Sequence, residues 1–354
     1  MSALRGRTRD GIECLLCHGQ MQRWLSIPPR RGIAESRPYS LYWCAVCRFG
    51  RIDPMPSWNE LAQHYGSYYT HGPHDTGKAR RSMMERLRVH LAWRVDRGEP
   101  LNAAAIRRWL PAGDAAVCDI GCGDGKLLRD LLSENVSVVG IEPDPVARSV
   151  APAGVSVLEG SAECLPSSLP RGAYDAVVVS HVLEHCASPA TALRNIYSLL
   201  KPGGTALITV PNNNSEGLRY SGPAWRWLDV PRHVNFFTSR SLSTLCNAAG
   251  LSVVEVEYDG YCRQFTDKWA GEELRISEEF GLSRRLPRWP LLLRTFFSSP
   301  ERKYDTVRII GRKALPGLRG AHASVRDFPG RPSLPIHAVA HEGSLDRRLA
   351  DGPR

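Results

Sequence analysis

The chain predicts an α/β fold: a doubly wound, mostly parallel sheet with a small N-terminal module in front of it. Three observations carry that expectation. Residues 117–125 read V-C-D-I-G-C-G-D-G, an apolar run that ends in an acid and passes straight into Gly121, Gly123 and Gly125. Behind this turn, short apolar runs alternate with stretches of helical periodicity, and alternating βα units imply a parallel sheet covered on both faces. Ahead of it, Cys14-x-x-Cys17 and Cys44-x-x-Cys47 form two pairs separated by 26 residues. A length of 354 residues with 42% hydrophobic content suits two bodies of ordinary size.

The cysteine pairs come first in the chain. Two CxxC pairs read as zinc ligands, because each tight turn brings two thiolates to one ion. A closed four-sulfur shell leaves no position for water, so a structural Zn²⁺ held by Cys14, Cys17, Cys44 and Cys47 is expected in a zinc-ribbon-like module over residues 1–60. A redox or degenerate ribbon is the alternative, and His18 beside Cys17 offers a further donor. Residues 61–112 form a helical linker or cap: Met84, Leu87 and Leu91, then Ala103, Ile106 and Leu110, recur at helical spacing on either side of Pro100. These helices are expected to cover one face of the sheet.

The main body is expected over residues 113–313. Its strands fall near 115–120, 136–141, 155–159, 174–179 and 205–210, and its helices near 126–134, 144–150 and 188–200. The third helix is the best marked, with Ser188 as N-cap, Pro189 in the first turn, an apolar face of Leu193, Ile196, Leu199 and Leu200, and Pro202-Gly203 as its stop. A helix near 239–249 ended by Gly250, a strand at 251–258 and a last strand within 304–313 bring the sheet to seven strands, with 261–303 as an insertion. Beyond Ala314 the chain is rich in Pro, Gly, Arg and His without apolar periodicity, so residues 314–354 are expected to be a disordered tail.

The glycine turn suits a nucleoside ligand. Glycines there reach positive φ and let the backbone approach closely, while the first amides of the following helix face an anion. Glu142 ends the next apolar run, 23 residues after Asp119, and an acid at that strand tip suits a ribose diol. The dehydrogenase pattern G-x-G-x-x-G requires a glycine where Lys126 stands; the pattern here is D-x-G-x-G-x-G. In that motif, and in His181-Val-Leu-Glu-His185 after the fourth strand and Leu200-Lys-Pro-Gly-Gly204 before the fifth, the chain resembles the class I S-adenosyl-L-methionine (SAM) dependent methyltransferases. The N-terminal cysteines and the lead-in Arg51-Ile-Asp-Pro-Met-Pro-Ser57 with Tyr65-Gly-Ser-Tyr-Tyr69 are similar to bacterial members that carry a zinc module over the substrate cleft. The resemblance covers most of residues 12–260 and implies a Rossmann-like methyltransferase fold with an antiparallel last strand.

The resemblance also implies the site. Asp119, Gly121, Cys122 and Gly123 would cradle the methionine part of SAM, Glu142 with Pro143 the ribose, and Ala162 and Glu163 the adenine, with Ser180 and His181 at the fourth strand's tip. Ser161 stands where the family often has an aspartate for the adenine amine. In ubiquinone-type O-methyltransferases a similar E-x-x-E-H stretch is implicated in metal binding, and here His181 takes the place of its first acid. Methyl transfer from SAM asks for alignment of a nucleophile and, where needed, removal of its proton. His185 and His233 are the candidate bases, since imidazole titrates near neutrality. His233 lies in the aromatic-rich stretch 211–237 with Asn212, Trp225, Trp227, Asp229, Arg232, Phe236 and Phe237, a mixture suited to an organic acceptor.

Charge and composition narrow the function classes. The formal charge of +10 is uneven: residues 1–110 carry 18 Lys/Arg against 9 Asp/Glu, 111–260 carry 10 against 16, and 261–354 carry 18 against 11. Basic flanks suit a nucleic acid, an anionic lipid or a phosphorylated carrier, but arginine outnumbers lysine 40 to 6, which reads as composition bias. No run reaches the roughly 18 apolar residues of a membrane span, and Met1 to Asp10 lack an apolar core, so a cytoplasmic protein is expected. The segment 284–297 mixes arginines with Trp289, Leu291, Leu292, Leu293, Phe296 and Phe297, yet Pro287 and Pro290 argue against a clean surface helix and for packing beneath the sheet. The first expectation is methyl transfer to oxygen or carbon of a small acceptor such as a sugar, a lipid-linked compound or a polyketide-like metabolite. An RNA methyltransferase whose ribbon grips nucleic acid is the second, although Ser180-His-Val-Leu183 lacks the N/D-P-P-Y/F motif of base-amine methylation. A noncatalytic SAM-fold subunit is the third. The sequence leaves the acceptor atom and the oligomeric state open.

Overall fold

A computed structural model describes residues 12–31, 37–57, 60–61, 82–282 and 286–315. The lead-in at 65–69, the arginines at 284–285 and the tail beyond 315 lie outside the described residues. The N-terminal part is a meander of β1 (Ile12–Glu13), β2 (Gln20–Ile27), β3 (Tyr39–Cys44) and β4 (Phe49–Asp53), each antiparallel to the next. Then come β5 (Ala115–Ile120), β6 (Val136–Glu142), β7 (Ser156–Glu159), β8 (Tyr174–Ser180), β9 (Leu200–Pro211), the two-residue β10 (Asn235–Phe236), β11 (Leu251–Asp259) and β12 (Thr306–Lys313).

The doubly wound seven-stranded sheet is present, in the order β11-β12-β9-β8-β5-β6-β7. Strands β5 to β9 run parallel, and β12 inserts antiparallel between β9 and β11. Because side chains alternate along a strand, β5 and β8 feed two cores. Cys118, Ile120, Val177 and Val179 join Ala192, Leu193, Ile196 and Leu199 of the helix Pro189–Leu199 on one face. Val117, Ala176 and Val178 join Ile106, Leu131 and Ile310 on the other. The helix Pro189–Leu199 starts as its sequence requires, with the Ser188 side chain accepting from Thr191 N. Its C-terminal stop differs: Leu200 to Gly204 already run as the start of β9, because the left-handed Gly203 (φ 79°) lets the chain turn without leaving the sheet.

Two expectations about the helices are corrected. The helix Met83–Val95 does not cap the sheet with Met84 and Leu87, which are 50% and 46% exposed. It turns Glu85, Arg88 and Ala92 inward instead, where Glu85 Oε1 accepts from Asp267 N and Arg88 pairs with the Asp267 carboxylate. Only the short helix Ala103–Arg107 reaches the sheet, through Ile106. The segment around Arg288–Phe296 forms a helix, and it packs against the first of these helices rather than beneath the sheet. Leu291 and Leu292 enter a separate cluster with Ala92, Tyr261, Phe265 and Tyr304. The polar pairs to Asp267 fix that choice, since a face carrying Glu85 and Arg88 has partners in the insertion and none on an apolar sheet.

The meander is joined to the main body by a strand. β10 pairs with β4 in antiparallel register, Asn235 opposite Arg51 and Phe236 opposite Gly50, so the small sheet has five strands and its last comes from the stretch after β9. Thr238 Oγ1 donates to the Arg48 carbonyl at 3.0 Å, and Phe49 packs on Phe237 with ring centroids 5.5 Å apart. Cys14, Met21, Cys44 and Phe49 belong to the same buried cluster as the sheet's own β5 and β8 residues.

Candidate functional site

The glycine turn sits at the C-terminal edge of the parallel sheet, where ligands of open α/β sheets bind. Asp119 pairs in register with Gly140, two residues before Glu142, so the two acids lie on one face of adjacent strands. Both are buried, at 4% and 3% exposure. Glu142 closes the turn from outside: its Oε2 accepts from Gly123 N at 2.9 Å and its Oε1 from Asp144 N at 3.0 Å. Burial raises the pKa of Glu142, against the pull of those two amides. Asp119 is pushed up to about 8, first by burial and then by the charge of Glu142. A pair of close, buried acids of this kind is a site for a ligand that brings positive charge and hydroxyl donors.

The turn itself is sterically fixed. Gly121 has φ 74°, and a Cβ there would stand 2.4 Å from Val182 Cγ2. Only glycine fits, which seats the turn directly against the end of β8. Cys122 is buried beneath it, with Sγ 2.4 Å from where a Cβ on Gly140 would be. Pro143 leads out of β6, and its carbonyl and that of Glu142 both accept from Arg148 Nη1, at 2.7 and 2.8 Å. At the tip of β7, Ala162 is buried and Glu163 turns its carboxylate to Ala187 N and Ser188 N, at 3.1 and 2.8 Å. The Glu163 side chain thus braces the turn after β8, and the Ala162 and Glu163 carbonyls accept from Asn195 Nδ2 at 2.9 and 3.1 Å.

Beyond Ser180, the last residue of β8, His181 takes the left-handed conformation (φ 57°) with its amide bonded to the Thr209 carbonyl at 2.9 Å. Its ring stacks on Trp227 at 4.7 Å and 15°, and its Nδ1 meets Glu184 Oε1 at 3.2 Å. Behind it, His185 and His233 stand edge to face at 4.6 Å. His185 Nδ1 is bonded to the Arg232 carbonyl at 3.0 Å and His233 Nδ1 to the Trp227 carbonyl at 2.9 Å. A carbonyl accepts, so each Nδ1 carries a proton, and His233 Nε2 lies 3.8 Å from Asp229 Oδ2. A carboxylate oxygen of Glu184 and a ring nitrogen of each histidine lie within 4.8 Å of one another, close enough to hold a cation. Burial pushes His233 down to about 4 and lowers His185, while the neighbouring imidazoles keep Glu184 below its usual range against its own burial.

The second donor cluster lies in the meander. The sulfurs of Cys14, Cys17, Cys44 and Cys47 fall within 4.8 Å of one another, Cys17 and Cys44 at 3.6 Å. The two pairs fold alike: Leu16 N and Cys47 N point to the sulfurs of Cys14 and Cys44 at 3.4 Å, and the residue after each pair, His18 and Arg48, takes positive φ. His18 turns its ring away to Glu13 and lies outside the sulfur cluster.

Sequence reasoning passed over a third group. Arg263, Thr266, Lys268 and Trp269 from the insertion, with Arg226 and Trp227, line a cavity of about 240 Å³. The signal was the clustering of Trp and Arg in the insertion, which has no strand or motif periodicity to single it out.

A Gly-rich turn on the first of five parallel strands, an acid closing the second, and a reversed last strand define a nucleoside-binding α/β enzyme of the methyltransferase class. Comparison with the sequences of known proteins agrees. The methyltransferase domain family matches residues 94–256. A ubiquinone biosynthesis O-methyltransferase of Burkholderia thailandensis is 34% identical over 154 residues, 40% of this chain and 66% of its own length. One of Aeromonas salmonicida is 34% identical over 165 residues, 42% of this chain and 69% of its own. The chain therefore spans about two thirds of the length of these relatives. Among solved structures, a SAM-dependent methyltransferase from Archaeoglobus fulgidus aligns with a TM-score of 0.42 and 21% identity, over 60% of this chain and 92% of that one. The chain belongs to the class I SAM-dependent methyltransferases. No helix among the described residues is long and apolar enough to cross a membrane.

Proposed function

We propose that this enzyme moves the methyl group of SAM to a hydroxyl oxygen of a small organic acceptor. The pairing of Asp119 and Glu142 on one face of adjacent strands, closed over a turn that only glycine fits, is the observation that carries the reading. Bound SAM supplies an already activated methyl group, so the protein's share is to hold, align and take up a proton. Asp119 at the turn receives the methionine ammonium, Glu142 with Pro143 the ribose hydroxyls, and the backbone at Ala162 and Glu163 the adenine, with Cys122 packing the turn from below. Ser180 and His181 bound the side of the site where the methyl group leaves. An oxygen acceptor is favoured over carbon by the relatives named as O-methyltransferases.

His185 and His233 are proposed to handle the acceptor's proton. A ring nitrogen of each lies within 4.8 Å of a Glu184 carboxylate oxygen, whose charge favours the imidazolium that forms. The same three groups suit a divalent cation, with each imidazole oriented by a carbonyl at Nδ1. The four sulfurs of the meander are proposed to hold a structural zinc: four thiols this close cannot all ionise without a cation, and the amide bonds to sulfur favour the thiolate.

The test is direct. Tritiated-methyl transfer is run with quinols, sugar nucleotides and RNA as acceptors, alongside calorimetric titration of S-adenosylhomocysteine. Binding of that product with label on a small hydroxylated acceptor supports the reading; no heat with either SAM or its product overturns it, and label on RNA alone reverses the acceptor class.

A further inference from the structure

The cavity lined by Arg226, Trp227, Arg263, Thr266, Lys268 and Trp269 is not one of the sites derived above. It lies a short chain of contacts from the SAM turn: Gly121 abuts Val182, the neighbouring His181 stacks on Trp227, and Trp227 forms a wall. Trp269 stands edge-on to Trp227 at 6.0 Å and 66°. The guanidinium of Arg226 lies over both rings at 5.7 and 5.0 Å, and that of Arg263 at 5.3 and 5.8 Å. A guanidinium held beside aromatic rings can still offer a planar oxyanion those N–H groups that its bracing partners do not take.

Each arginine is braced on one side. Arg263 donates from Nε to Asp305 Oδ2 at 3.0 Å and from Nη2 to Thr306 Oγ1 at 2.6 Å, and Arg226 Nη1 is 2.6 Å from Glu272. Asp305 is wholly buried, so it fixes Arg263 in place rather than competing in the cavity. Thr266 caps the helix Asp267–Glu279, its Oγ1 accepting from Trp269 N at 3.2 Å. Two arginines and a lysine line the opening beside two indoles with no carboxylate among the lining residues, and Glu272, Asp305 and Asp259 are the acids that act on the arginines. An engineered cavity of about 150 Å³ holds benzene, so about 240 Å³ admits one ring with a charged substituent.

We propose that this cavity receives the oxyanion, carboxylate or phosphate, of an acidic organic acceptor whose flat or apolar part lies along Trp227 toward His181. The proposal rests on the methyl-transfer reading and names its acceptor class: an aromatic acid, sugar acid or phosphate ester rather than a neutral alcohol. Arg226, Arg263 and Lys268 set specificity by charge, and Trp227 sets the plane in which the acceptor enters.

Calorimetric titrations of the full chain, saturated with S-adenosylhomocysteine, compare benzoate, phenyl phosphate and the neutral isostere benzamide. The anions are expected to bind at least about tenfold tighter than benzamide, with a gap that narrows as salt rises. The tighter of the two anions identifies the oxyanion. The gap is expected to collapse in Lys268→Gln and in Arg226→Gln but not in Arg312→Gln, a cation that lies over Trp109 instead. Equal or absent binding of all three probes overturns the proposal, as does a gap that survives both substitutions. Affinity for S-adenosylhomocysteine, measured first on each variant, reports folding. If wild type itself does not bind that product, the methyl-transfer reading falls, and the same titrations without it still decide the cavity.

Discussion

At the scale of single residues, the two acids of the turn make opposite demands. Asp119 holds a proton up to about pH 8 in the free protein, whereas a ligand's ammonium calls for the carboxylate. Binding then releases a proton below pH 8, so SAM affinity is expected to rise as pH increases, by up to about tenfold per unit, and to level off above that value. The sign follows from the raised pKa: at lower pH the acid must first be ionised. Titrations between pH 6.5 and 8.5 check this against Asp119→Asn, which should lose the slope; parallel curves for the two proteins would refute the assignment. Glu142 already satisfies Gly123 N and Asp144 N, so Glu142→Ala removes two charge-assisted bonds as well as the proposed ribose partner. We expect about 2 to 4 kcal/mol less binding of S-adenosylhomocysteine, with the melting temperature lowered by only a few degrees. Unchanged affinity would show that Glu142 serves the turn alone.

At the scale of elements, legibility followed local signals. Strands β5, β6, β8 and β9 were readable because parallel strands buried on both faces are continuous apolar runs, and the helix Pro189–Leu199 because Ser188 and Pro189 mark its start. The turn residues Asp119, Gly121, Gly123 and Glu142 were readable for a similar reason, since their spacing is set by one βαβ unit. What escaped depends on partners distant in sequence. Helix Met83–Val95 shows Met84 and Leu87 to solvent because Asp267, some 180 residues on, takes the Glu85 and Arg88 face. β10 is two residues long and exists only because β4 offers an edge. That pairing is a testable joint. Phe49 is wholly buried against Phe237, so Phe49→Ala should cost about 3 to 5 kcal/mol. Hydrogen exchange at Phe236 should speed up with it, while that at β5 stays slow; equal change at both strands would mean the meander and the sheet unfold as one unit.

At the scale of the whole molecule, the meander is tied to the stretch that carries the proposed acceptor-side groups. The stretch after β9 passes Trp227 and His233 and then becomes β10, the last strand of the small sheet, so whatever holds the meander also holds the groups beside the proposed methyl position. Further ties run the same way: Val234 N donates to the Glu184 carbonyl at 2.8 Å, Asn235 Nδ2 to the Cys186 carbonyl at 2.6 Å, and Arg30 lies 3.5 Å from Asp229. A four-sulfur zinc centre contributes on the order of 10 kcal/mol in small modules, which is most of what a meander with so small a core of its own would have. Stripping the metal should therefore act at a distance in a graded way. Zinc release, followed with a colorimetric chelator, should unfold the meander and accelerate hydrogen exchange at residues 234–237, with acceptor binding lost in step. Binding of S-adenosylhomocysteine should persist, because Asp119, Gly121 and Glu142 hang on β5 and β6 and make no hydrogen bond to the described residues of the meander. Cys44→Ser should reproduce the same split, since Cys44 is a buried member of the sulfur cluster. A chain that binds zinc at one equivalent and loses both ligands together on its removal would show the sulfur centre supporting the entire fold, and a chain that releases zinc without change in exchange at 234–237 would sever the meander from the acceptor side.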